Sequence, residues 1–337
     1  MSENIEETAR QYEQELMDKN KPELKKMCLD EELSAGGTKK DMAKRLTQFK
    51  FPVRSIDLIK HFENGERASN DSSNKKREVV VAAIINNKVP FEYYDDPRWS
   101  SLRDEIIAFA LKLCEDFTSL KCIVKAGRGN YYDFDIKFYG SNSQLIKVEK
   151  VEWKYGASEI TDLPEFVSPQ LPCDYIDGPN FVSYWYNYVL RGLLPDGMEM
   201  PSYEVYAKQV QCTEPKCLAL AKTRYKDDKE YNDDCKCKSN EKIAEYMESD
   251  GVKLYEEKFM EYLRLTQRGK VYMLYKDGKI NCRHGPNFDN LEITSCAKTH
   301  NTFECTLSED YNLSILLRWK NGAYGANPGF QVKLKKK

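Results

Sequence analysis

The sequence lacks the residue patterns of several enzyme classes. It has three histidines in 337 residues, His61, His284 and His300, and no two of them are spaced as metal ligands. This scarcity argues against histidine-based nucleases and zinc hydrolases. The absence of a Walker A motif argues against an ATPase or a helicase. No apolar run reaches the ~18–20 residues of a transmembrane helix, and the acidic N-terminus lacks the apolar segment of a secretory signal. We therefore expect an intracellular protein with no membrane partner.

Cysteine is present, but its pattern predicts neither a disulfide framework nor a metal site. The eleven cysteines are odd in number and scattered, which suits a reducing compartment. Four of them have the spacing C-x4-C-x17-C-x-C: Cys212, Cys217, Cys235 and Cys237. Zinc ribbons usually use C-x2-C pairs, so this spacing does not favour zinc. The net charge of −2 likewise shows no global basic field, although local basic patches can still bind phosphates.

Residues 20–49 have the pattern of two short helices joined by a tight turn. Asn20 with Glu23, and Thr38 with Asp41, form two capping boxes, each of which marks a helix start. The tripeptide "AGG" between the helices gives the backbone the freedom that a tight turn needs. The sequence therefore predicts a small helix–turn–helix module ahead of the main domain.

Two lysines, Lys39 and Lys40, open the second of these helices. The free backbone N–H groups of a helix N-terminus, together with two ammonium groups, favour a phosphate ligand. The segment resembles the SAP domain, a small DNA-binding module. The positions that match its Leu, Gly, Lys, Leu, Arg, Leu pattern are Leu33, Gly37, Lys39, Met42, Arg45 and Leu46. The resemblance implies that residues 1–62 bind duplex DNA, with Lys39, Lys40 and Arg45 as contacts, in a nucleus or a cytoplasmic viral factory. A helical hairpin that contacts another protein is the alternative.

A polar stretch separates this module from the rest of the chain. Residues 63–78 contain no apolar residue larger than alanine, which predicts a flexible linker. The following run "VVVAAII" fits a buried strand or a buried helix equally well. Residues 99–117 have a helical apolar stripe with Glu105 at its margin, as a half-buried carboxylate or an ordinary edge residue. Three strands come next, so the order of elements predicts an α/β or α+β domain over residues 79–337.

Acidic and basic side chains recur on two of these strands. Asp133 and Asp135 share one face of the second strand, and Glu152 and Lys154 share one face of the third, because side chains alternate along a strand. Carboxylate oxygens are the ligands that Mg²⁺ prefers. A lysine beside such a metal site can orient the attacking water and stabilise the charged phosphate. These four residues therefore form a candidate site for phosphodiester hydrolysis.

The order of a helix, an aspartate strand and an E-x-K strand resembles the PD-(D/E)xK superfamily of restriction-endonuclease-like nucleases. The resemblance covers about 55 residues and implies a mixed central sheet flanked by helices, with Mg²⁺ as cofactor and Mn²⁺ as a substitute. It assigns the first acid to Asp133 or Asp135, with Asp133 preferred, the second acid to Glu152 and the lysine to Lys154. Glu105 matches the helix glutamate that some members add as a metal ligand. The proline that often precedes the first acid is missing here.

The sequence therefore predicts a metal-dependent endonuclease that a SAP-like module recruits to duplex DNA. Arg318 and Lys320 follow an apolar strand and could contact the DNA backbone. A similar Arg–aromatic–x–Asn string occurs near the end of a final strand in some restriction-endonuclease families. Two alternatives stay open: a non-catalytic DNA-binding or scaffold protein on a nuclease-like fold, and a nuclease that acts on RNA or branched DNA. A homodimer is also left open.

Overall fold

The computed structural model describes residues 2–63, 70–125, 130–169, 174–194, 197, 199–211, 229–319 and 328–337. The protein is of the mixed α/β type. The chain folds into two compact units, and both are discontinuous in sequence. The first unit comprises Met1–Glu159 and Gly269–Gly285, and the second comprises Ile160–Arg268 and Pro286–Lys337. The units therefore do not follow the sequence-based boundaries at residues 62 and 78.

The first unit contains five α-helices and five strands in its described residues. The helices are α1 (Ser2–Asp18), α2 (Lys21–Asp30), α3 (Lys39–Lys50), α4 (Asn70–Ile85) and α5 (Pro97–Leu113). The strands are β1 (Ser119–Val124), β2 (Phe134–Tyr139), β3 (Leu145–Tyr155), β6 (Lys270–Lys276) and β7 (Lys279–His284).

The three N-terminal helices form a module with a small core of its own. Its fully buried side chains are Leu16, Leu24, Cys28, Met42, Ala43 and Leu46. Both predicted capping boxes are confirmed. Asn20 Oδ1 accepts from the Glu23 N–H at 3.0 Å, and Thr38 Oγ1 accepts from the Asp41 N–H at 3.2 Å. In each box the acidic side chain also accepts from the N–H of the capping residue. The predicted pair is α2 and α3, and α1 completes the bundle.

The prediction of a flexible linker over residues 63–78 is wrong for its second half. Residues 70–78 form the first turns of α4, and residues 64–69 lie outside the described part of the chain. The run "VVVAAII" continues this helix. Its first residue, Val79, is half-buried, and the other six, residues 80–85, have at most 6% of their surface exposed. The polar composition of residues 70–78 suggested an exposed linker, but two of these polar residues, Ser73 and Arg77, are buried in the fold.

The module contacts the sheet of its own unit. The two oxygens of Glu32, just after α2, pair with Lys121 at 2.9 Å and Lys137 at 2.8 Å, on β1 and β2 respectively. Lys88 donates to the backbone oxygen of Phe49 at 2.9 Å and lies over the Phe49 ring. These contacts hold the module against the β1 edge of the sheet.

The five strands form a mixed sheet in the order β1-β2-β3-β6-β7. All neighbours are antiparallel except β3 and β6, which are parallel with Glu152 opposite Tyr272. Helices α4 and α5 share one core with the inner face of the sheet, which includes Phe134, Ile136, Phe138, Val151, Trp153, Val271 and Met273. Alternation along β3 turns Glu152 and Lys154 away from that core.

The second unit contains five α-helices and six strands in its described residues. The helices are α6 (Phe181–Trp185), α7 (Arg191–Leu193), α8 (Tyr203–Gln211), α9 (Lys229–Glu248) and α10 (Glu256–Gln267). The strands are β4 (Ile176–Asp177), β5 (Lys253–Leu254), β8 (Ile293–Thr299), β9 (Thr302–Leu307), β10 (Tyr311–Trp319) and β11 (Pro328–Lys336). The last four strands form an antiparallel sheet in the order β11-β10-β9-β8.

The core of the second unit is aliphatic and aromatic. Alternate residues of β10, namely Leu313, Ile315 and Leu317, are fully buried, as expected of a sheet with one covered face. The aromatic stretch at residues 183–192 is helical, and Trp185 is fully buried, which agrees with a role in the core. Within the described residues, no helix combines the length and the apolar character that crossing a bilayer requires.

Candidate functional site

The candidate site lies where β3 runs between β2 and β6. Glu152 and Lys154 lie on the same side of β3, as the sequence predicted. Glu152 Oε1 pairs with Lys154 Nζ at 2.7 Å. Its other oxygen, Oε2, pairs with Lys270 Nζ at 3.3 Å. Lys270 opens β6, where it lies opposite Lys150 of β3, diagonally from Glu152.

The triad of Glu152, Lys154 and Lys270 is largely buried, so water stabilises its three charges only weakly. The exposed fraction of the side chain is 13% for Glu152, 29% for Lys154 and 5% for Lys270. Burial alone would raise the pKa of Glu152, but the two ammonium groups outweigh it and the pKa is lowered. Burial lowers the pKa of Lys270, and this effect is larger than the opposing effect of the nearby Glu152 carboxylate. Glu152 therefore stays ionised as the charge that holds both lysines in place.

Asp133 adds a second carboxylate to the cluster. It directly precedes β2, and its Oδ2 accepts from the backbone N–H of Trp153 at 2.9 Å. Burial and the charge of Glu152 raise its pKa to about 6, although the Trp153 N–H and both lysines act in the opposite direction. This short contact across the two strands brings the first acid of the predicted motif beside the second.

Glu78 of α4 is a third carboxylate that the sequence analysis missed. Burial and the charges of Asp133 and Glu152 raise its pKa to about 7, with Lys154 and Lys75 partly opposing the rise. The three carboxylates repel one another, and the repulsion is strongest at Glu78, which is opposed only by Lys154 and the exposed Lys75. A cation would relieve this repulsion.

Helix α4 is fixed beside the sheet by the residue next to Glu78. The guanidinium of Arg77 lies 3.5 Å from the centre of the Tyr155 ring at the end of β3. It also donates to the backbone oxygen of His61 and, at 2.7 Å, to the side chain of Asn74. Tyr155 in turn stacks on Tyr275 of β6, with the ring planes 14° apart. This stack sets the position from which Glu78 acts on the cluster.

Two candidate ligands from the sequence analysis have other partners. Asp135 pairs with Lys125 at 3.3 Å, and its carboxylate accepts from Tyr132. Glu105 of α5 accepts from Lys279 Nζ at 2.7 Å and from the Ile280 N–H at 2.9 Å. Burial favours a higher pKa for Glu105, but these two hydrogen bonds lower it. Glu105 therefore ties α5 to β7, and Glu78 of α4 is the helix glutamate that acts on Asp133 and Glu152.

The donor set suits a hard cation in chemistry but is not assembled as a closed cage. In the part of the chain that the structure describes, no group of three or more His, Cys, Asp or Glu side chains is arranged to hold a metal ion. Mg²⁺ usually keeps several waters and binds through one or two carboxylates. Asp133 and Glu152 meet that smaller requirement, provided that Glu152 exchanges one ammonium partner for the cation.

The predicted DNA contacts lie elsewhere. Lys40 is exposed and Lys39 half-buried at the start of α3. The Arg45 guanidinium donates to the backbone oxygens of Ser34 and Gly36, so it supports the α2–α3 loop. In the second unit, Arg318 pairs with Glu165 at 2.8 Å. Lys320, Cys212 and Cys217 lie outside the described residues, whereas Cys235 is buried and Cys237 exposed on α9.

Glu78 and Lys270, which the sequence analysis did not identify, are only weakly indicated by the sequence. Glu78 is the last charged residue before the run "VVVAAII", a place where an acid must find a partner or a function. Lys270 opens the apolar strand "VYMLY", but only the parallel pairing of β6 with β3 brings it to Glu152.

Comparison of the chain with models of protein families, with curated proteins and with solved structures finds no match.

Proposed function

We propose that this chain is a metal-dependent endonuclease with a restriction-endonuclease-like first unit. The observation that carries the proposal is the convergence of Glu78, Asp133, Glu152, Lys154 and Lys270 around one point of the sheet. Structural ion pairs usually balance their charges. This cluster instead holds two carboxylates at raised pKa, Glu78 and Asp133, beside an ionised glutamate and its lysines, as sites that bind cationic cofactors and phosphates do.

The arrangement of elements supports this fold assignment. A helix carrying a glutamate precedes an antiparallel β2–β3 pair, and the next strand in the sheet is parallel to β3. The aspartate begins one strand and the E-x-K tripeptide lies on its neighbour. This is the order that the resemblance to PD-(D/E)xK nucleases implies.

The residues divide into cation ligands and phosphate contacts by their chemistry. Asp133 and Glu152 supply the oxygen ligands, and Glu78 contributes further negative charge beside them. Mg²⁺ or Mn²⁺, when bound, supplies a polarised water and neutralises charge on the scissile phosphate. Lys154 is the more exposed lysine, so it can reach a phosphate oxygen or orient the attacking water. Lys270 is nearly inaccessible and keeps Glu152 ionised and oriented.

Duplex DNA is the substrate that the N-terminal module favours. Lys39 and Lys40 begin α3, where the helix N-terminus adds its own attraction for phosphate. The contacts of Glu32 with the sheet attach this module to the same unit as the cluster. The module and the cluster would then engage one DNA molecule, in a nucleus or a viral factory. Action as a homodimer is compatible with this proposal.

A non-catalytic DNA-binding role is the second candidate, and one observation favours it. Both oxygens of Glu152 already have ammonium partners. In a protein that never binds a metal, this pairing would be a permanent ionic cross-link between β3 and β6. The two functions differ in what a divalent cation does: it activates an endonuclease and leaves a scaffold unchanged.

The test is a cleavage assay with three substrates and three metal conditions. Supercoiled plasmid, single-stranded DNA and RNA are each incubated with Mg²⁺, Mn²⁺ or EDTA. We expect nicking or linearisation of the plasmid with either metal and none with EDTA. Cleavage of RNA alone would indicate that the substrate is RNA and not duplex DNA. Binding of DNA without cleavage under any condition would support the scaffold.

A matched pair of variants controls for contaminating nucleases. Glu152→Gln and Glu149→Gln each remove one carboxylate from β3. Glu149 pairs with Lys147 at 2.7 Å and has 14% of its side chain exposed, so the two sites are similar in burial and pairing. Only Glu152→Gln should abolish cleavage. Equal activity of both variants would mean that the cluster is not the site.

A further inference from the structure

Two cysteines lie directly opposite each other in the second unit. Strands β8 and β9 form a hairpin whose turn is His300 and Asn301, and their register pairs Cys296 with Cys305. Both thiols are reduced. Because β8 is an edge strand of its sheet, this pair lies at the margin of the unit.

The register places the pair at a position where a disulfide can form. Thr299 and Thr302 flank the two-residue turn, and in such hairpins the flanking pair exchanges backbone hydrogen bonds. The pairs then alternate, so Cys296 and Cys305 form a non-hydrogen-bonded pair. Residues in such pairs have α-carbons about 4.5 Å apart and close side chains. That separation lies within the range of about 4.4–6.8 Å that disulfides span.

The two thiols are neighbours across the hairpin and differ in exposure. The adjacent Cys296 thiol and burial both raise the pKa of the Cys305 thiol, and the contribution of Cys296 ends once its sulfur is in a mixed disulfide. Cys305 has 2% of its surface exposed, whereas Cys296 is only partly buried. A small reagent can therefore reach Cys296 but not Cys305, and Cys305 is held where it can attack a modified Cys296.

We propose that Cys296 and Cys305 form a reversible thiol–disulfide site whose oxidant is a small-molecule disulfide. The Cys296 thiolate attacks the disulfide, which releases one small thiol and leaves a mixed disulfide. The Cys305 thiolate then attacks the Cys296 sulfur, forms the protein disulfide and releases the second small thiol. The protons of the two cysteines pass to the two departing thiolates, so the cysteines are oxidised and the small disulfide is reduced.

A disulfide between Cys296 and Cys305 can be detected by peptide mapping, because a trypsin site lies between the two cysteines. Trypsin cleaves after Lys298, between the two cysteines, and gives peptides 284–298 and 299–318 with one cysteine each. The full chain is reduced, freed of reductant, treated with oxidised glutathione, alkylated and digested. We expect the two peptides to be joined by a disulfide in the oxidised sample and separated after dithiothreitol treatment.

Variants distinguish this site from general oxidation. Cys296→Ser removes the accessible thiol and should abolish the joined peptides, leaving peptide 299–318 alkylated. Cys282→Ser is the control, because Cys282 is half-buried and lies opposite Met273; it should leave the joined peptides unchanged. Alkylation of both cysteines in the oxidised wild type would overturn the proposal. So would a cross-link of Cys296 to any cysteine other than Cys305. The outcome is independent of the proposed nuclease activity.

Discussion

Replacement of Glu78 by glutamine should stabilise the protein, and only at neutral and alkaline pH. Burial and the charges of Asp133 and Glu152 raise the pKa of Glu78 from 4.5 to about 7. One pKa unit corresponds to about 1.4 kcal/mol. The ionised carboxylate therefore costs the folded state about 1–3 kcal/mol, once solvent screening of this partly exposed side chain is allowed for.

The sign of the pH dependence follows from which state loses its proton first. Below pH 4.5 Glu78 is protonated in both the folded and the unfolded chain, and the cost is absent. As the pH rises from 4.5 to about 7, the unfolded chain deprotonates before the folded one, so the free energy of unfolding falls. Above that range the full cost persists.

Urea unfolding in EDTA, followed by fluorescence, measures this difference without any bound cation. Glu78→Gln should match the wild type near pH 4.5 and exceed its free energy of unfolding by about 1–3 kcal/mol near pH 8. Glu115→Gln is the control, since Glu115 is exposed and its replacement should change stability by less than about 0.5 kcal/mol at either pH. A Glu78→Gln stability difference that is the same at both pH values would refute the proposed coupling of the three carboxylates.

Three further variants probe the remaining parts of the structure. Glu152→Gln should lower the free energy of unfolding by about 2–4 kcal/mol in urea titrations, because it leaves two lysines without their counter-charge; an unchanged value would mean that the triad is not formed. Replacement of Lys39 and Lys40 by alanine should reduce the log–log salt slope of DNA affinity by about 2 in anisotropy titrations, whereas an unchanged slope would indicate that the module binds a protein. Glu105→Gln should lower the melting temperature by removing the contacts to Lys279 and Ile280, and should leave the cleavage rate as in wild type; a large loss of rate would return Glu105 to the site.

Local signals in the sequence predicted local structure well. The capping boxes begin α2 and α3, and the tight turn predicted at "AGG" has Gly37 at positive φ. Each of these depends on a few neighbouring residues, which a sequence displays directly. The face shared by Glu152 and Lys154 belongs to the same class of prediction.

Long-range pairing and buried polar residues could not be predicted in the same way. Helix α4 begins in a stretch whose polar composition resembles a linker, and the Tyr155 ring that covers Arg77 lies far away in the sequence. Lys270 joins the cluster through the pairing of two strands that are far apart in sequence. If repulsion between carboxylates were the only effect, removal of Glu152 would leave the stability unchanged or raise it. The two ammonium partners that the structure shows predict a loss of stability instead.

A comparison of two aspartates tests the central claim most directly. Asp133 and Asp135 are two residues apart, but one contacts Trp153 beside Glu152 and the other pairs with Lys125. The measurement is the single-turnover rate of plasmid cleavage in Mg²⁺ for the wild type, Asp133→Asn and Asp135→Asn. We predict a loss of at least about a hundredfold for Asp133→Asn and less than about tenfold for Asp135→Asn. The reverse order, or a wild type that cleaves no substrate with any divalent metal, would contradict the proposed site.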